Sequence, residues 1–84
     1  MKVELYSKEE CHLCDEVKAV LLRTQKELPF DIVEVDIARN QKLFDEFKEQ
    51  IPVVFIEGRK AFKYRVDETE LQRKLKRVLQ STKL

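Results

Sequence analysis

Cys11 and Cys14, the two cysteines of the chain, flank His12, its one histidine, in the stretch YSKEECHLCDEVK of residues 6–18. Thiols at this spacing have three chemistries open to them. As a dithiol they exchange with disulfides, because residues three apart share one face of a helix and lie within bridging reach. As thiolates they supply two ligands to a zinc ion or an iron–sulfur cluster. As buried thiols they are small apolar side chains. His12 is the other soft ligand in the stretch, and a one-residue step on a helix turns it to a different side. A closed metal site built on Cys11 therefore needs a second chain or a small thiol.

The elements around the pair bear on this choice. KVELY (2–6) alternates and predicts a strand, and apolar Val17, Val20, Leu21 and Leu28 recur at helical spacing after the cysteines, with Pro29 closing that helix. FDIVEVDI (30–37) is rich in β-branched residues and predicts a second strand. Asn40 suits the start of a short helix carrying Leu43, Phe44 and Phe47 on one face. PVVFIE (52–57) is the continuous apolar run of a strand covered on both faces, and Glu57-Gly58-Arg59 marks a turn joining strands 53–57 and 60–64 in a hairpin. Leu71, Leu75, Val78 and Leu79 define a last helix, with Asp67 or Thr69 near its start. The order βαβαββα needs a parallel crossover and then an antiparallel hairpin. It predicts an α/β fold with a mixed four-stranded sheet and helices on both faces.

Cys11 then falls where the first strand hands over to the first helix, and unpaired backbone N–H groups at a helix start favour an anion such as a thiolate. Cys14 sits about one turn deeper on the same face. An exposed first sulfur attacks and a covered second sulfur resolves the mixed disulfide. Glu9, Glu10, Asp15 and Glu16 surround the pair with negative charge, offset nearby by Lys8 and by His12 when protonated. These acids read either as the solvated start of a helix or as selection of a basic protein partner.

Length and composition set the wider frame. The 84 residues suit a single domain spanning 1–84, and 43% apolar with 39% charged residues describes a packed, well-solvated chain. A net charge of +1 carries no whole-molecule field toward nucleic acid or membrane. The basic run RKLKR (73–77) interleaves with Leu75 and Val78 as the wet side of an amphipathic helix, and Phe44, Phe47, Phe55 and Phe62 fall on faces expected to be buried. MKVELYSKEE lacks the apolar core of a secretory signal, so a cytoplasmic location is the expectation. In that reducing compartment a C-x-x-C pair is catalytic or metal-binding rather than a permanent staple.

LYSKEECHLC, VDI and IPVVFIEGRKAF together resemble the glutaredoxin-like proteins of the thioredoxin fold, over nearly the whole chain from about Val3 onward. CHLCDE is most similar to a small glutaredoxin-like group without the usual glutathione features. Thioredoxin itself matches less well, because its motif carries a tryptophan and this chain has none. The resemblance implies a thiol-disulfide oxidoreductase with Cys11 and Cys14 as its catalytic pair. It implies a cis Pro52 beside the active-site sulfur, with the backbone of Ile51 pairing to an extended substrate. His12 tunes Cys11 or serves as an exposed spacer, and Leu13 covers the motif or meets substrate. Among the positions with which a glutaredoxin holds glutathione, Lys8, Ile51 and Asp67 match, and Val66 with Asp67 offers helix-start N–H groups to a carboxylate. The family's glycine pair is replaced by Tyr64 and Arg65. The implied partners are disulfide-containing proteins and glutathione, with no nucleic acid or membrane, and the chain is expected to act as a monomer. No bound cofactor and no metal is expected, and glutathione or a flavin-dependent reductase would supply electrons. The alternative is a module holding an iron–sulfur cluster or zinc through Cys11 in a dimer or complex.

Overall fold

The computed structural model describes residues 1–81. Strand β1 (Lys2–Ser7) leads into helix α1 (His12–Gln25), strand β2 (Asp31–Asp36), a single 3-10 turn (Ile37–Arg39) and helix α2 (Gln41–Phe47). Strands β3 (Val53–Ile56) and β4 (Arg59–Lys63) and helix α3 (Glu68–Ser81) follow. The sheet order is β2-β1-β3-β4, with β1 parallel to β2 and antiparallel to β3, and β3 antiparallel to β4. This is the predicted βαβαββα arrangement.

Period-two alternation divides the interior into two layers. Val3 and Leu5 of β1, with Val54 and Ile56 of β3, face one cluster completed by Val17, Leu21, Leu71 and Leu75 of α1 and α3. Tyr6 of β1 and Val53 and Phe55 of β3 face the other, which holds Ile37, Ile51 and Phe47 of α2. Both layers are apolar because β3 is enclosed from both sides, as its uninterrupted V-V-F-I run requires. The four phenylalanines expected inside are buried or half-buried.

Local chemistry places several boundaries where the sequence predicts them. The Asn40 side chain accepts from the Leu43 N–H at 3.2 Å, capping α2. The Asp67 carboxylate accepts from the Glu70 N–H at 3.1 Å at the start of α3, while Thr69 lies inside that helix. At the hairpin, Glu57 and Gly58 have φ of 51° and 81°, the two left-handed residues of a type I′ turn. Glu57 is held there because its carboxylate accepts from the Lys2 N–H at 2.7 Å and its own N–H donates to the Lys2 carbonyl at 3.0 Å.

Departures from expectation fall at the hairpin, at α1 and at β2. Val53–Ile56 and Arg59–Lys63 stand where strands 53–57 and 60–64 are predicted, because the turn uses only Glu57 and Gly58 and leaves Arg59 to pair with Ile56. Helix α1 ends at Gln25, well before Pro29, and Leu28 packs on the core from outside the helix. The N–H groups of Glu27 and Leu28 both turn back onto the Thr24 carbonyl, and the Gln25 side-chain amide donates to the Phe30 carbonyl at 2.8 Å. These contacts divert the chain toward β2 before the proline is reached. Strand β2 is also shorter than 30–37: Phe30 precedes it, and Ile37 enters the 3-10 turn because the Asp36 carboxylate accepts from the Ala38 N–H at 2.9 Å. Among the described residues, no helix is long and apolar enough to cross a membrane.

Leu21 is fully buried, whereas its neighbour Leu22 is 46% exposed. Leu21→Ala is expected to cost about 2–5 kcal/mol in urea unfolding, through lost transfer energy and the cavity left behind. Leu22→Ala is expected to stay within about 0.5 kcal/mol of the parent. Equal effects at the two positions would show that α1 packs by another face.

Candidate functional site

After β1 the chain reverses through Glu9 and Glu10, and Glu10 adopts a left-handed φ of 57°. That conformation costs a non-glycine residue on the order of 1 kcal/mol. It delivers Cys11 in an extended conformation, φ −112° and ψ 108°, as the N-cap of α1. The Cys11 Sγ accepts from the Cys14 N–H at 3.2 Å, and its carbonyl accepts from the Asp15 N–H at 3.1 Å. Sulfur thus occupies the place usually taken by a capping oxygen, where the first backbone donors of the helix converge. Cys11 and Cys14 are joined as a disulfide with Cα atoms 5.2 Å apart. Cys11 is half-buried while Cys14, about one turn deeper, is only 3% exposed.

Beneath the pair lies the second core layer. Cys14 belongs to the same buried cluster as Ile37, Phe47, Ile51 and Val53, and Cys11 and Tyr6 pack against it. The Ile51–Pro52 peptide bond is cis, and both residues are buried. The Ile51 N–H donates to the Phe47 carbonyl at 3.1 Å and the Pro52 carbonyl accepts from the Tyr64 N–H at 2.8 Å. The segment leading into β3 is therefore tied to α2 on one side and to the loop after β4 on the other.

The remaining expected site residues are spread around this centre. His12 is exposed and Leu13 half-buried. Lys8 lines a polar cleft of about 410 Å³ with Glu9, Glu10, Asp15, Glu34 and Asp36. Two of these acids are partnered, Glu34 by Lys18 at 3.1 Å and Asp36 by Arg39 at 3.8 Å. Val66 lines a different cleft of about 220 Å³, between α1 and the loop after β4, shared with Glu16, Val17, Val20, Tyr64 and Arg65. Ile51 and the cysteines come together, while Lys8 and Val66 lie in separate clefts. The Asp67 carboxylate is engaged in capping α3. Among the described residues, no three His, Cys, Asp or Glu side chains gather as metal ligands.

Two tyrosines of the site region carry more than the sequence reading gave them. Tyr6 lies with its ring centroid 5.0 Å from that of Phe47 and 4.9 Å from that of Phe55. Its phenol is held above its ordinary pKa, first by burial and then by the charges of Glu4 and Glu46. The alternation of β1, which turns Tyr6 away from Leu5, is the signal that locates it. Tyr64 has a left-handed φ of 72°, the conformation most accessible to glycine, at the place where the resemblance puts the family's glycine pair.

A cysteine pair whose first member caps a helix, packed in one cluster with Ile51 of a buried cis-proline loop in a four-stranded mixed sheet, defines a thioredoxin-fold protein equipped for thiol redox chemistry. The chain belongs to the glutaredoxin-like family: residues 2–76 match the family described as Glutaredoxin-like domain (DUF836). A glutaredoxin-like protein of Dictyostelium discoideum is 31% identical over 85 aligned residues, covering 94% of this chain and 79% of that protein. The solution structure of a protein from Nitrosomonas europaea superposes with a TM-score of 0.77 at 30% identity, covering 88% of this chain and 89% of that one. Thioredoxin 1 from Thermosipho africanus shares the fold, with a TM-score of 0.72 at 18% identity and full coverage of both chains.

In the reduced protein, Cys11 is expected to react with iodoacetamide well before Cys14, at a pH below that of a free cysteine; mass mapping of brief alkylation checks this. Equal rates would remove the distinction between the two thiols. Because the Tyr6 phenol is shifted upward, it keeps its proton to higher pH folded than unfolded. Any stability it lends is complete below the unfolded-state value and is lost as pH rises through the folded one. Glu46→Gln is expected to move the Tyr6 absorbance titration downward, with Tyr6→Phe assigning the signal.

Proposed function

We propose that the protein is a thiol-disulfide oxidoreductase acting on disulfide-containing proteins, with Cys11 as nucleophile and Cys14 as resolving thiol. The carrying observation is the inequality of the pair: a half-buried sulfur caps α1 and a nearly inaccessible one lies a turn below it. In the reduced state the Cys11 thiolate attacks one sulfur of the substrate disulfide. A Cys11–substrate mixed disulfide forms, and the other substrate sulfur leaves as a thiolate that takes a proton from solvent. The Cys14 thiolate then attacks the Cys11 Sγ. This expels the second substrate sulfur as a thiolate, which also takes a proton from solvent, so two electrons pass to the substrate and the Cys11–Cys14 disulfide is restored. A reductant of the thiol or flavin-dependent class returns the pair to the dithiol.

Helix-start donors stabilise the attacking thiolate, the bond from the Cys14 N–H among them. The exposed acids Glu9, Glu10, Asp15 and Glu16 oppose it. At the surface that opposition is screened and small, whereas the N–H contact is direct. The same acids favour a substrate bearing Lys or Arg near its disulfide. Ile51 contributes its backbone carbonyl to an extended substrate, since its N–H is committed to Phe47. The protein acts in this reading as a cytoplasmic monomer.

Free glutathione is expected to be a poor electron donor. Large side chains at Tyr64 and Arg65 line the cleft on the Val66 side, where a glycine pair would leave the backbone open to close approach. Slow turnover is expected in a glutathione-coupled assay and faster turnover with a flavin-dependent thioredoxin reductase. Replacing Tyr64 and Arg65 together by glycine is expected to raise glutathione turnover, and brisk turnover of the parent protein would refute the crowding argument. Roles are tested by trapping: Cys14→Ser is expected to accumulate a substrate disulfide on Cys11, visible as a mass increase that dithiothreitol removes. Cys11→Ser is expected to trap nothing. Capture through Cys14 instead would invert the assignment.

A further inference from the structure

Tyr64 stands between β4 and α3, and its backbone and side chain reach the same neighbouring segment at two points. Its N–H donates to the Pro52 carbonyl at 2.8 Å, and its hydroxyl donates to the Glu49 carbonyl at 2.7 Å. The two acceptors bracket Gln50 and Ile51. The bonds are made from a left-handed backbone, φ 72°, that a tyrosine adopts only against a steric cost. The ring is 43% exposed and has the Lys63 ammonium 5.2 Å from its centroid, so core burial does not explain its retention in that conformation. What the position gains is the span across residues 49–52.

We propose that Tyr64 is a positioning residue for substrate binding, strapping the 49–52 segment so that the Ile51 carbonyl is presented in a fixed place to the polypeptide flanking a substrate disulfide. Ile51 already has its N–H on the Phe47 carbonyl at 3.1 Å and its side chain in the cluster that contains Cys14. The α2 end therefore holds the segment at Ile51, and Tyr64 holds it at Glu49 and Pro52. Pre-ordering of this kind lowers the entropy that a bound chain must supply, which appears in affinity. It leaves Cys11 alone, because the nucleophile is placed by α1 and by the Cys14 N–H. A protein substrate extends along the segment and benefits, whereas a small thiol has no chain to lay there.

The inference rests on the oxidoreductase reading, and the test separates the two. Tyr64→Phe removes the hydroxyl bond and keeps the ring. Its KM for a disulfide-bearing peptide is expected to rise roughly three- to tenfold, the factor carried by one net hydrogen bond. The kcat and the alkylation rate of Cys11 are expected to stay within about a factor of two, since the bond lies outside the reacting centre. Amide exchange at Gln50 and Ile51 is expected to accelerate selectively. Tyr64→Gly removes the hydroxyl but relieves the left-handed strain, so its KM is expected to rise without a fall in Tm. An unchanged KM, or a KM that changes only together with Cys11 alkylation and Tm, would overturn the positioning role. Unchanged exchange at Gln50 and Ile51 in an active protein would overturn the strap alone. A parent protein inert toward the peptide would overturn the oxidoreductase reading and the substrate role, while exchange still reports whether the strap exists.

Discussion

The enclosure of β3 on both faces is the constraint from which the rest of the architecture follows. Four consecutive residues, Val53 to Ile56, send alternate side chains into opposite layers and leave almost nothing for water. Burial of this kind stabilises by roughly 25 cal/mol per Å² of apolar surface, and it is gained only if helices cover both sides. One layer is met by α1 and α3, the other by α2. Cys14, in the first turn of α1, joins the layer opposite to the one that receives Val17 and Leu21. The dithiol is thus a product of where the two layers meet.

The same meeting point explains why rigidity and reactivity coexist there. Cys14, Ile51 and Pro52 are fixed by packing, whereas Cys11 has one side packed and the other open. Left-handed Glu10 aims the helix start, and the cap bond on sulfur supplies the local donor. Neither feature depends on the carboxylates around it, which lie at the surface and act through water.

How much of this was legible in the sequence varies with the range of the cause. Asn40 and Asp67 announce their helices because capping is a contact between residues three apart. The β3 run and the Cys11–Cys14 spacing are legible for similar reasons, one through pattern and the other through helix geometry. The end of α1 was misplaced at Pro29 because Lys26 and Glu27 are good helix formers. The stop comes instead from the Gln25 amide reaching Phe30 and from Leu28 turning into the core. Tyr64 shows the limit most plainly. Its identity marked a departure from the family's glycine pair, but its hydroxyl partner Glu49 lies fifteen positions away, across β3, the hairpin and β4. Lys8 and Val66, both read by resemblance as positions that hold glutathione, line two different clefts, a separation that linear spacing does not encode.

The hairpin has a consequence for how these molecules meet one another. Strand β4 closes one side of the sheet with the sequence RKAFK, and its register skips Ala61 between Lys60 and Phe62. Strand β2 closes the other side with DIVEVD. Two copies approaching through like borders would set lysine against lysine, or aspartate and glutamate against their own kind. Unlike borders attract, but the skipped residue breaks the even ladder that an incoming β2 would need. Edge-to-edge pairing of the sheet is thereby opposed at both margins.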